Sequence, residues 1–386
     1  MQDKKSALLS LSAAALLLNT LSETVRADPP NQNNEVDFRY SHYHEGEVPA
    51  GNTSTGKSSS RYDIDVFQAK GKVPVTADTE LTVSGIVETM SGASPWYVVP
   101  DEKGDPVQVM SGATIDDTRM EVGADFRSYN LRSESTVSAS YSTENDYSSL
   151  SFGFSGIWRL NNNLTTLNYG MSAGKDNIDA SDTDKYPTRP SGKDKSRVSG
   201  FVGFSQVIDK NRLVGANIGM TSLQGFLSDP YKWVTVNGIQ VQDSRPDNQS
   251  QLSGSLLFRQ FFSDYDAALH TDLSFYYSDW EVFSQTADLG WYQNFGNNWQ
   301  IVPSMRLYHQ SAAAFYEPYY KNTRQDGYYS SDYRLSEFTA LSGRIKLEKQ
   351  WTQFYGNVSY EHYGAFGDHP ALVSFDVVSV GFGMNF

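Results

Sequence analysis

The C-terminal segment Val378-Ser379-Val380-Gly381-Phe382-Gly383-Met384-Asn385-Phe386 decides the fold class. Successive side chains of an extended chain point to opposite sides. Val378, Val380, Phe382, Met384 and Phe386 therefore share one face, and Ser379, Gly381, Gly383 and Asn385 the other. Large apolar groups backed by small and polar ones suit a strand with hydrocarbon on one side and water on the other.

The pattern recurs upstream. Leu269, Thr271, Leu273, Phe275 and Tyr277 alternate with His270, Asp272, Ser274 and Tyr276. Trp299, Ile301, Met305 and Leu307 alternate with Gln300, Ser304 and Arg306, and Leu341, Ile345 and Leu347 with Ser342, Arg344 and Lys346. Ionised groups are costly toward lipid, so the charged face looks inward. Sixteen such segments are predicted, at 35–44, 60–71, 79–91, 116–128, 131–143, 148–160, 164–174, 195–208, 212–224, 248–261, 267–278, 282–295, 299–313, 334–348, 352–363 and 374–386. Fourteen and eighteen are the neighbouring counts.

The connections set the architecture. Tyr129-Asn130, Asn161-Asn162-Asn163, Asp209-Lys210-Asn211 and Gly296-Asn297-Asn298 have the chemistry of tight hairpin turns. Between them run the long loops 45–59, 92–115, 175–194, 225–247 and 314–333, with 144–147 and 279–281 as short exceptions. The expected fold is all-β: an antiparallel up-and-down transmembrane barrel with short periplasmic turns and long extracellular loops. An even strand count puts both termini in the periplasm. A barrel of this size is wide enough to hold water.

The N-terminus reads as an export signal. Lys4 and Lys5 precede the Ala/Leu-rich run Ala7–Leu18, and Val25-Arg26-Ala27 fits a small-x-small cleavage site. Residues 1–27 are expected to be removed, leaving 28–386 as a single barrel in the bacterial outer membrane, in contact with its lipid. The apolar run is too short for a helical span, which takes about 20 residues. The net charge is −14 and cysteine is absent. Phosphates repel an acidic chain, so no nucleic-acid partner is expected. Disulfides, thiolate metal sites and a cysteine nucleophile are excluded.

Several residues are singled out for function. Asp63, Asp65, Arg119, Glu121, Asp272, Arg306 and Arg344 are candidate lumen charges, which would tune ion selectivity. Met-Ser-Gly-Ala occurs at 90–93 and again at 110–113, bracketing a loop with Trp96, Tyr97, Asp101 and Glu102. That loop reads either as a constriction folded into the lumen or as a surface loop with glycine hinges. The stretch Tyr316–Tyr333 holds six tyrosines, of which Tyr319, Tyr320, Tyr328 and Tyr329 are candidates for an aromatic mouth. The other reading is loop packing and an interfacial girdle. His42 and His44 share a face, but two ligands make no metal site. His270 with Asp272 is the best acid–base pair, with no nucleophile beside it. No zinc or phosphate-loop motif occurs, so no enzyme activity, metal or cofactor is expected.

Six stretches resemble a family of outer-membrane barrels, domain of unknown function 3570. They are Arg61-Tyr62-Asp63-Ile64-Asp65-Val66, Met90–Trp96, Met110–Ile115, Tyr141–Tyr147, Leu227–Lys232 and Tyr328–Ser336. The chain also ends on Phe386, which resembles the terminal aromatic read by barrel-assembly machinery. The resemblance spans nearly all the mature chain and implies fold and location, with no assigned activity. Two functions follow as expectations. One is a porin-like channel for small solutes or ions. The other is a non-conducting barrel serving as scaffold for a periplasmic or surface partner.

Overall fold

The structure is a computed structural model and describes residues 33–111 and 115–386. The leader and the last part of the second Met-Ser-Gly-Ala copy lie outside the described residues. Twenty strands form: β1 (Glu35–Glu45), β2 (Tyr62–Thr76), β3 (Thr79–Gly92), β4 (Pro95–Pro100), β5 (Pro106–Met110), β6 (Ile115–Tyr129), β7 (Ser133–Thr143), β8 (Tyr147–Leu160), β9 (Thr165–Ile178), β10 (Lys193–Asp209), β11 (Arg212–Gly225), β12 (Trp233–Val236), β13 (Ile239–Gln242), β14 (Asn248–Phe262), β15 (Ala267–Ser278), β16 (Phe283–Phe295), β17 (Trp299–Gln310), β18 (Phe338–Gln350), β19 (Phe354–Phe366) and β20 (Phe375–Asn385). All but β4, β5, β12 and β13 make a closed antiparallel barrel of sixteen strands, each hydrogen-bonded to its neighbours in chain order. β1 closes the ring on β20, with Glu35 opposite Asn385 and Tyr40 opposite Val380. Closure leaves no strand edge unpaired, the condition for backbone to stand in lipid.

All sixteen predicted strands are present. The turns follow their chemistry: Asn161, Asn162, Asn163, Asn297 and Asn298 have positive φ, as hairpin turns demand. Two ends move. Strand 299–313 stops at Gln310 and strand 334–348 starts only at Phe338, because the chain between them belongs to a folded external layer. The sequence reading also missed β4–β5 and β12–β13, two hairpins inside loops expected to be irregular.

The two faces of the wall divide as the alternation requires. Phe38, Phe67, Met120, Phe152, Ile218, Leu256, Ile345 and Phe382 point outward and are exposed. At the turn end Phe295 stacks on Trp299 and Phe354 on Phe382, an outward aromatic girdle. The inner face has two unlike halves. From β7 to β10 its middle is lined by small groups, Ser138, Gly153, Ser172 and Ser199, which face one another in register, with Gly219 opposite Ser253 further round and the Glu134–Arg159 and Asp176–Lys195 ion pairs toward the strand ends. From the turn end of β14 round to β2 it carries Arg259, Asp272, Arg306, Arg344, Lys346 and Arg39.

The apolar core sits at the loop end, not in the lumen. Val48, Val98, Val234, Val236, Phe315, Tyr320 and Ala371 are buried loop-layer residues. All eight external loops meet there. Ser54 N donates to Gln108 O at 3.0 Å and Asn52 Nδ2 to Pro370 O at 3.4 Å. Thr235 Oγ1 donates to Val98 O at 2.6 Å and Tyr319 Oη to Gly104 O at 2.7 Å. Ser181 N donates to the Tyr231 hydroxyl, which donates to Asp146. Ala314 N donates to Trp280 O at 2.9 Å, and His369 Nε2 is 3.0 Å from Ser331 O. Loops rooted around the whole ring can meet only by crossing its mouth. They form a cap.

Candidate functional site

The candidate site is the polar lumen together with the cap. Within the lumen the charges are mostly paired across adjacent strands. Arg259 makes a two-pronged contact with Asp272 at 2.8 and 2.9 Å, and Arg306 Nε donates to Asp288 at 2.6 Å. Arg119 is shared by Glu88 at 3.0 Å and Glu121. Bidentate and shared guanidinium contacts fix such groups in place. Arg344 reaches only the Ser304 hydroxyl, at 3.3 Å. Arg39 lies in the same sector, opposite Gln68 and Gly381. Neither Arg39 nor Arg344 holds a carboxylate in ion-pair contact among the described residues.

Two of the candidate lumen charges are on the wrong side. Asp63 pairs with His44 and Asp65 with His42 in register, on the outward face that carries Phe67. His44 Nδ1 is 2.6 Å from Asp63 and His42 Nδ1 is 2.9 Å from Asp65. Across the seam His362 Nδ1 meets Asp376 at 2.8 Å. The Tyr40 and Tyr360 hydroxyls donate to Asp65 and Asp376 at 2.6 Å each. These are a polar collar above the hydrocarbon, where tyrosines mark the interface. The alternation was readable, but the phase of β2 was not, because Ile64 and Val66 are apolar and face inward. They do so because the cap covers them: Tyr62, Ile64 and Met90 form a buried cluster with Tyr43 and Val66. His270 and Asp272 share the inward face but not a proton. His270 lies over Tyr292 at 4.1 Å, and Asp272 is taken by Arg259.

Loop 92–115 enters as β4–β5, the centre of the cap. Its first glycine, Gly92, has φ +132°, and a Cβ there would meet Arg61 O at 2.1 Å. Only glycine fits such a turn. Trp96 and Tyr97 join Trp233 and Tyr186 in a half-buried aromatic cluster, with Trp96 5.1 Å from Tyr97 and 5.4 Å from Trp233. Asp101 and Glu102 sit at the exposed hairpin tip. The Asp101 carboxylate accepts from Asp105 N and Lys103 N, which hold it below the usual carboxylate range.

The tyrosines of 316–333 are cap structure rather than an open mouth. Tyr320 is buried and hydrogen-bonded to Phe315 O and Ser330. Tyr329 meets it edge-on at 5.0 Å, Tyr328 packs toward Phe315, and Tyr319 is tied to Gly104.

Two residues joining the cap were not among the candidate site residues, although Arg61 heads one of the six family-like stretches. Arg61 is fully buried, paired with Glu45 at 2.9 Å and lying between the Tyr62 and Tyr333 rings. His369 is buried beneath the cap. Its Nδ1 accepts from Ala371 N at 3.0 Å, so the proton is on Nε2, which donates to Ser331 O. Burial pushes its pKa down to about 4. An unfolded histidine titrates near pH 6.5, so the exposed form gains a proton first as pH falls. Stability is therefore full above about pH 6.5 and is lost down to about pH 4, by about 3 kcal/mol. We expect cap loops to become protease-sensitive between pH 6.5 and 4.5, and His369→Gln to flatten that dependence. An unchanged digestion profile across this range would refute the role of His369.

The model of a family described as "Protein of unknown function (DUF3570)" matches residues 6–366. The chain belongs to the DUF3570 family. No curated protein matches it. Among solved structures, the DUF3570 chain is similar to one titled "Bacterial polysaccharide outer membrane secretin", at 9% identity and TM-score 0.53, over 92% of this chain and 98% of that one. OccK2 (OpdF) of Pseudomonas aeruginosa aligns at 10% identity and TM-score 0.45, over 92% and 98%. The CymD monoaromatic hydrocarbon channel aligns at 10% and 0.43, over 92% and 89%. At such identity the likeness shows the fold alone, and the fold resembles outer-membrane barrels of Gram-negative bacteria.

Proposed function

We propose that this DUF3570 protein is a porin-like outer-membrane channel for small polar solutes, closed toward the outside by its cap. One observation carries the reading: a closed sixteen-strand ring whose inward face below the cap is mostly polar and whose outward face below the rim is apolar. The small-residue wall opposite the arginine-bearing wall leaves room for solvent between them. Arg39 and Arg344, lacking carboxylate partners, would meet an anionic or hydrogen-bond-accepting solute in passage. Charges of both signs on the wall argue for modest ion selectivity, despite the acidic chain.

The interlocked cap favours a second reading, a non-conducting scaffold with its partner face outside. Single-channel recording in a planar bilayer separates the two. The intact protein should give small or infrequent openings, and replacing both Arg39 and Arg344 by alanine should shift the reversal potential toward cations, by roughly twofold in permeability ratio. A correctly folded barrel that stays silent even after its cap is opened would overturn the channel reading.

A further inference from the structure

At the external end of β6, three carboxylates converge from two segments: Asp117 on the strand, and Glu144 and Asp146 in the short β7–β8 loop. One oxygen from each lies within 4.8 Å of the others. We propose that Asp117, Glu144 and Asp146 form a binding site for one hard divalent cation, calcium in class, that fastens the barrel wall to the cap.

The arrangement of the oxygens carries the inference. Each carboxylate has a polar neighbour on at least one oxygen. Asp117 Oδ1 accepts from Asn145 Nδ2 at 2.7 Å and Thr118 N at 2.9 Å. Asp146 Oδ2 accepts from the Tyr231 hydroxyl, and Glu144 Oε1 faces Arg119 Nε at 4.0 Å. The second oxygens of Glu144 and Asp146 are buried and accept no hydrogen bond. The Glu144 side chain is 1% exposed and Asp146 is 3% exposed. A buried carboxylate oxygen with nothing to accept from is costly and calls for a ligand. Arg119 does not fill that role, because Glu88 and Glu121 already divide its guanidinium.

Oxygen ligands at about 2.3–2.6 Å from calcium lie at most about 5 Å apart, so one ion fits among these three without moving the backbone. Magnesium needs closer, near-octahedral oxygens and fits less well. The three acidic side chains and the absence of nitrogen or sulfur donors also select a hard cation. Burial, with the charges of Asp117 and Asp146, pushes the Glu144 carboxyl up to about 8, as crowded acids do when nothing neutralises them. An ion held by Asp146 would be tied through that carboxylate to Tyr231, which leads directly into β12 of the cap. This inference stands independently of conduction.

The test uses the full refolded protein, stripped with EDTA and returned to millimolar CaCl2. Melting should rise by about 5 °C with calcium and less with magnesium. Terbium should bind with tyrosine-sensitised luminescence that calcium displaces. The near-isosteric double variant Glu144→Gln, Asp146→Asn should fold, lose both responses, and melt no lower than the stripped wild type. Two results would overturn the site: a wild type indifferent to calcium with no terbium signal, or a double variant that keeps both.

Discussion

Replacing Asp332 by alanine should unfasten the cap while leaving the barrel closed. Asp332 is 1% exposed. It accepts from Arg334 Nε at 2.8 and 2.9 Å and from Arg245 at 2.9 Å. Burial alone would favour its neutral form, but the charges of Arg334, Lys232 and Arg245 hold its carboxyl well below the usual range. Those cations come from both large cap loops, and they reach further acids: Arg245 to Asp243 at 2.8 Å and Arg334 to Asp229 at 2.9 Å. Removing one partner of such a buried cluster strands charge of the other sign, which costs about 3–5 kcal/mol. The penalty falls on a layer that the wall does not need, because the sixteen strands are held by their own ladders. Limited proteolysis should cut within 226–247 and 311–337 in the variant and not in the wild type, while both keep the electrophoretic shift of a folded barrel. Equal resistance in both would refute the cap's dependence on this residue.

The second large effect should come from excising the β4–β5 hairpin. Its ends are already joined: Ser111 N donates to Ser94 O at 2.8 Å, and Ser94 N donates to Ser111 Oγ at 2.9 Å. Two glycines can therefore bridge Ser94 to Ser111 without straining β3 or β6. The excision removes Val98 and Gln108, both buried, and the oxygens that hold Lys232 and Thr235. Losing the central piece of an interlocked layer should widen the mouth and raise mean conductance several-fold, since access to a polar lumen scales with the open cross-section. Unaltered conductance from a wild type that already conducts would place the narrowest point inside the barrel, at the Arg39–Arg344 sector.

The wall was legible in the sequence because lipid enforces a strict period of two, and because Asn- or Asp-bearing turns mark most of the short connections. The ends of β17 and β18 were not, because Ser311–Glu337 answers to cap contacts far away in the chain. The phase of β2 failed for a related reason. Outside lipid contact, Asp63 and Asp65 can face out and Ile64 can face in, so near the rim the polarity rule reverses under the cap. Arg119, Glu121, Asp272, Arg306 and Arg344 were placed inward because each lies within a strand whose outward face is strongly apolar. The Asp117–Glu144–Asp146 convergence gave no motif, since its members are split between one strand and the next external turn, which only the barrel register brings together.

The cap also imposes an order of events on assembly. Its contacts join residues as distant as Gly104 and Tyr319, and each of its loops springs from a different hairpin. Such contacts bear the entropy of closing long stretches of chain, which falls steeply once the loop roots are fixed on a rigid ring. Val98, Val234 and Tyr320 come from loops rooted on widely separated strands, so their shared core has no scaffold until the ring stands. We expect the apolar interior of this protein to be buried only after the wall that carries it.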